Sequence, residues 1–149
     1  MTEILFYHLE RRALEDVLPE LLEKCYERGW RSVVQATTDE RCKALDTHLW
    51  SYRDDSFLPH GPSGDAFAAD QPICLTTGAD NPNGATVRFL VERAVADEVG
   101  TYDRVVHIFD GADEAAIAQA RDQWKAGKAG GHSVAYWQQD VDGRWKKKA

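Results

Sequence analysis

The sequence predicts a three-layer α/β domain built around a mostly parallel sheet, and two observations carry that expectation. Short apolar runs rich in β-formers alternate along the chain with segments whose apolar residues recur at helical spacing. A length of 149 residues, 43% hydrophobic and 29% charged, fits one domain spanning 1–149 that buries a real core without disulfides or a structural metal.

Ile4 to Leu9 opens the chain as a buried strand, expected to lie centrally in the sheet. Leu14, Val17, Leu18, Leu21, Leu22 and Cys25 follow at three-and-four spacing, and Gly29 stands where a helix should end. Pro19 belongs in a first helical turn, so this helix either starts near Asp16 or is kinked. Ser32 to Thr37 reads as a second strand, and Thr38 or Asp39 can cap a helix running to about Trp50. Residues 51–71 are rich in Asp, Ser, Gly and Pro without periodicity, which predicts a long surface loop. Pro72 to Thr76 and Ala85 to Val91 read as strands either side of a turn-rich stretch. Arg104 to Phe109 is another strand, Asp113 caps a helix to about Lys128 that ends at Gly130-Gly131, and His132 to Gln138 returns as a last strand. Residues 144–149 are expected to form a short basic tail, frayed at its end.

The net charge of −7 argues against nonspecific nucleic-acid binding, which is driven by basic surface. That average hides a split: residues 121–149 carry seven Lys and Arg against three Asp, a net of +4, which leaves −11 on the rest. A basic end on an acidic body suits a local anionic partner or a solvated tail. Three cysteines without CxxC spacing, no long apolar run and no leader pattern point to a cytoplasmic protein without membrane anchor or zinc ribbon.

Nucleotide binding would need glycines after the first strand, where the chain has Glu10-Arg11-Arg12-Ala13, and neither GxGxxG nor GxxxxGK[ST] occurs. No cofactor or metal is expected. Asp54, Asp55 and His60 form an acid-base or metal candidate, weighed against solvated carboxylates and a structural histidine. Ser133 beside His132, and Cys74, are candidate nucleophiles without the GxSxG spacing, and Cys74 reads most simply as a core residue. On the last helix Arg121, Lys125 and Lys128 share one face with Trp124 on its flank, an arrangement that can hold a carboxylate beside an apolar group or merely complement the helix dipole. Trp50 and Phe57 either form a protein interface or anchor their loop. Trp137, Trp145 and the basic end allow weak direct single-stranded-DNA binding by stacking.

The N-terminal run Ile4 to Glu10, the segment WSYRDDSFLPHG from Trp50 to Gly61, the strand entry Gln71-Pro72-Ile73 and the closing pattern ARxxWKxxKxxGHxxxYWQQxxxGRW together resemble the chi subunit family of the bacterial DNA polymerase III holoenzyme. The combination spans nearly the whole chain, and its YWQQ variant with a basic end looks like the alphaproteobacterial branch. The resemblance implies a Rossmann-like fold without a nucleotide site and a non-catalytic accessory of the clamp loader. It implies one surface for the psi subunit, used in some members by a helicase-like partner, and another for the acidic C-terminal tail of single-stranded-DNA-binding protein. Contact with nucleic acid would then be mainly indirect. The tail site implied by the family matches Arg121, Trp124 and Lys125, with Lys128 and Gly130-Gly131 beside them. Ile117 departs from the pattern, standing where a member can have a further basic residue. The psi-facing surface corresponds to Trp50, Phe57 and Pro59. The extension beyond Gln139, with Arg144 and Lys146 to Lys148, exceeds the shorter family pattern and either adds an electrostatic contact or forms an unstructured tail.

Overall fold

A computed structural model describes residues 2–52, 58–96 and 99–149. Among them eight strands form one sheet in the order β3-β4-β2-β5-β6-β1-β7-β8. The strands are β1 (Glu3–Leu9), β2 (Ser32–Gln35), β3 (Gly61–Pro62), β4 (Ile73–Thr76), β5 (Val87–Val91), β6 (Arg104–Asp110), β7 (Ser133–Gln139) and β8 (Trp145–Lys147). Every pairing is parallel except that of β7 with β8. The helices are α1 (Leu14–Glu27), α2 (Asp39–Ser51) and α3 (Glu114–Ala129). The three-layer, mostly parallel α/β expectation therefore holds, and β1 does lie inside the sheet, between β6 and β7.

Strand alternation distributes the core between two faces. Leu5 and Leu9 of β1 meet Val34, Leu75, Phe89 and Val106 under Leu18 and Leu22 of α1 and Leu45 and Leu49 of α2. Ile4 and Phe6 turn to the other face, where Phe109 packs with Ala116 and Ala120 of α3. Small residues let α3 approach the sheet closely: a Cβ on Gly127 would meet Val134 Cγ1 at 3.0 Å and Ile4 Cδ1 at 3.1 Å. Beside α3, Ala85, Ala94 and Tyr102 cover Val33, Leu90 and Val105. Beneath this cover Arg88 is fully buried, its guanidinium bonded to the Gln35 side chain, the Gly78 and Asp80 carbonyls and the Tyr102 hydroxyl.

Pro19 neither starts α1 nor stands outside it: the helix begins at Leu14 and holds Pro19 in its interior. A proline there removes the N–H that would bond the Glu15 carbonyl four residues back. His48 of α2 supplies the replacement, its Nε2 lying 2.5 Å from that oxygen, while Arg41 of α2 pairs with the Glu15 carboxylate at 2.7 Å.

Two expectations are corrected. Residues 51–71 are not simply a surface loop, because Leu58 and His60 are buried, β3 pairs with β4, and Ala68–Asp70 forms a 3-10 turn. A two-residue strand is too short to show alternation in sequence. Residues 144–149 are not a tail either: Gly143, at φ +78°, closes a turn after β7, and β8 returns antiparallel along it. The last strand is β8, and Lys148 N–H continues the pairing to the Tyr136 carbonyl at 2.7 Å.

His107 lies beneath α3, stacked on Phe6 with ring centroids 4.7 Å apart. Burial drives its pKa down to about 4 from the ordinary 6.5, and burial also lowers that of His8. Between those limits the unfolded chain binds the proton that folded His107 refuses, so stability falls as pH drops from about 6.5 toward 4. One such group gives a slope approaching about 1.4 kcal/mol per pH unit. Urea unfolding of wild type and His107→Phe at pH 7.5, 6 and 4.5 should show a shallower fall in the variant, and identical profiles would count against this source of acid lability.

Candidate functional site

Asp113 opens α3 by accepting N–H bonds from Ala115 and Ala116. At roughly 100° per residue, Ala116, Ala120 and Gly127 face the sheet, whereas Ile117, Arg121, Trp124 and Lys128 run along one flank. Trp124 fixes where that flank points, because it packs on Phe6 of β1 and edge-on to Tyr136 of β7, at centroid distances of 5.7 and 6.2 Å. Lys128 Nζ lies 5.1 Å above the Trp124 ring, a cation-π contact. Arg121 is exposed one turn earlier and stays near enough to Tyr136 to oppose the upward shift that burial imposes on its hydroxyl. The structure thus brings Arg121, Trp124 and Lys128 together beside β7. Lys125 sits on the solvent-facing crest of the helix, about 100° around from Trp124. None of the four forms a side-chain ion pair with another described residue.

The floor beside this flank is a set that spacing alone did not single out. Val134 and Tyr136 share the α3 face with Gln138, and Tyr136 Oη lies 2.6 Å from His8 Nδ1. Burial lowers the His8 pKa against the pull of Glu10, and its Nδ1 shares this hydrogen bond with the Tyr136 hydroxyl. The available signal was the alternation of SVAYWQQ read against the three-and-four spacing of α3.

A second surface lies at the end of α2. Trp50 is 50% exposed, its ring 4.2 Å from that of His60, and Pro59 is half-buried. Phe57, Asp54 and Asp55 fall outside the described residues. Phe67, 67% exposed on the same connection, was not apparent from the sequence. His60 is poorly placed for acid-base work: its side chain is wholly buried, Nδ1 lies 2.6 Å from the Leu58 carbonyl, and Nε2 lies 2.9 Å from that of Asp46. Cys74 is buried on β4, and burial pushes its thiol up to about 11, as befits a core residue. His132 accepts the Thr2 N–H on Nδ1 rather than facing a nucleophile. Trp145 packs edge-on against Tyr7, centroids 4.8 Å apart, which takes much of its surface away from stacking.

The turn from β1 into α1 is where a dinucleotide-binding fold presents backbone amides to phosphate. Here the Gln139 side-chain oxygen accepts the N–H groups of Glu10, Arg11 and Arg12 at 3.0, 3.0 and 3.2 Å. Gln139 is buried, so the convergent donors are filled from within the chain. A parallel sheet of this order, with helices on both faces and that turn plugged by an amide, defines a Rossmann-like domain.

The chain belongs to the DNA polymerase III chi subunit family: the model of that family, the DNA polymerase III chi subunit, HolC, matches residues 1–135. It is 29% identical over 117 residues to a probable DNA polymerase III subunit chi of Rickettsia prowazekii, covering 74% of this chain and 71% of that one. It is 26% identical over 129 residues to the DNA polymerase III subunit chi of Pseudomonas aeruginosa, covering 84% and 88%. The chain is therefore an accessory subunit of DNA polymerase III, acting in DNA replication. No helix among the described residues is long and apolar enough to cross a membrane.

Proposed function

We propose that this subunit is a non-catalytic adaptor that links the clamp loader to the acidic C-terminal tail of single-stranded-DNA-binding protein. The observation that carries this reading is the α3 flank, where Arg121 and Lys128 stand either side of Trp124 without a carboxylate partner among the described residues. A tail ending in acidic residues and a Phe carboxylate would take charge-assisted hydrogen bonds from Arg121 and from Lys125 on the crest, with its ring against Trp124. Trp50 and Pro59 supply the second surface, toward the psi subunit, its functional equivalent or a helicase-like partner. Its place of work is the replisome in the cytoplasm, and contact with DNA is mainly indirect.

The test is fluorescence anisotropy of a labelled acidic peptide ending in Phe, titrated with wild type, Arg121→Ala and Lys125→Glu at two salt concentrations. Wild type should bind saturably and more weakly at high salt, and each variant should lose about tenfold or more in affinity. Absence of binding by wild type at low salt would overturn the tail reading and leave the Trp50 surface as the place to seek partners.

A further inference from the structure

The geometry points to β8 as a second basic rim of the peptide site, which receives the acidic residues lying upstream of the ligand's terminal aromatic. The inference rests on the reading of the α3 flank as a peptide site, and it adds residues that lie beyond the span matched to the family.

In an antiparallel pair, residues directly opposite one another project from the same face. Val134 and Tyr136 pack under α3, so Gln138, two residues further along β7, faces the same way. Lys146 is the register partner of Gln138. The bond from Lys148 N–H to the Tyr136 carbonyl places Lys148 beside Tyr136. Adjacent strands lie about 4.8 Å apart, so these two lysines stand one strand outside the floor residues, opposite the flank that holds Arg121, Trp124 and Lys128. The result is a strip floored by Val134, Tyr136 and Gln138 with cations along both sides.

Charge selects the occupant. The chain outside residues 121–149 carries a net −11, yet these two rims gather four cations, Arg121, Lys128, Lys146 and Lys148. Among the described residues Lys146 makes only a long contact of 3.8 Å to Asp140 and its side chain is 64% exposed, so its ammonium keeps donors for a ligand. Glu10 lies at one end of the strip but is already bonded by Gln138 Nε2 at 2.6 Å. An extended acidic peptide, with its aromatic terminus at Trp124, meets cations on both sides along its length.

The experiment compares two labelled peptides ending in Phe carboxylate, one without and one with three Asp upstream, against wild type, Arg121→Ala and the double variant Lys146→Ala/Lys148→Ala. These alanines leave the hairpin backbone and Trp145 in place, and a near-ultraviolet circular dichroism spectrum checks the fold. The double variant should weaken the Asp-bearing peptide about fivefold and leave the shorter peptide within twofold, whereas Arg121→Ala should weaken both. Equal effects of the double variant on both peptides, or no effect on either, would overturn the role of β8 while leaving the α3 reading intact. Failure of wild type to bind either peptide would overturn both. Loss of an oligothymidine's binding in the double variant, with peptide binding unchanged, would replace this proposal with a nucleic-acid contact.

Discussion

Replacing Arg88 by Met will cost about 3–5 kcal/mol of folding stability, since several buried acceptors lose their donors at about 1–3 kcal/mol each. Arg88 is 1% exposed, and its guanidinium is fully engaged: Nε and Nη2 donate to Gln35 Oε1 at 3.1 and 2.6 Å, and Nη2 also donates to the Gly78 carbonyl. Nη1 donates to the Asp80 carbonyl and the Tyr102 hydroxyl, each at 3.0 Å, and the cation lies over the Tyr102 ring. Every acceptor in that set is neutral, so the arrangement stands on complete hydrogen bonding rather than on an ion pair. Methionine fills the volume but leaves two turn carbonyls and the Gln35 oxygen without their donors in a dry site. Lysine should recover little, because a single ammonium cannot reproduce the fork. Urea unfolding measures the loss, and hydrogen exchange should show it concentrated in residues 78–85. A cost below about 1 kcal/mol would mean that water satisfies these acceptors.

The second large effect is expected at Gln139. Gln139→Leu should destabilise by about 3 kcal/mol, since three backbone donors in the turn before α1 lose their shared acceptor. Gln139→Glu should be tolerated far better, because a carboxylate keeps an oxygen in the turn and suits the positive end of the helix. Gln139→Ala, by contrast, should uncover an anion site. Its melting temperature should then rise with added phosphate more steeply than that of wild type. A phosphate response identical in the two proteins would show that Gln139 is not what closes the turn.

These two sites mark the limit of what the residues reveal by themselves. Six of the eight described strands, the three helices and the clustering of Arg121, Trp124 and Lys128 follow from spacing, because periods of two and 3.6 residues are written along the chain. Arg88 looks like any strand residue, and the shape of residues 77–85 depends on where its side chain ends. Gln139 finds its partners 127 to 129 residues away, which no local pattern encodes. Pro19 left the start of α1 ambiguous, and the deciding contact comes from His48 on another helix. The hairpin into β8 did carry a signal, the Asp142-Gly143 pair before Trp145, but three lysines in succession made the segment read as a solvated tail. Burial at Leu58 and His60 had no such signal, since it follows from β3 docking beside β4.

The two outermost described strands also bear on how the protein behaves in a crowded solution. Open sheet edges invite strand pairing between molecules, the first step of many aggregation routes. At one margin β3 is two residues long and includes Pro62, which has no N–H to offer a foreign strand. At the other, β8 is three residues long and Lys146 and Lys147 occupy two of them, so two copies approaching edge to edge bring like charges together. A sheet finished in this way discourages self-templating at both ends, and the lysines that guard one edge against other copies of the chain leave it open to acidic partners.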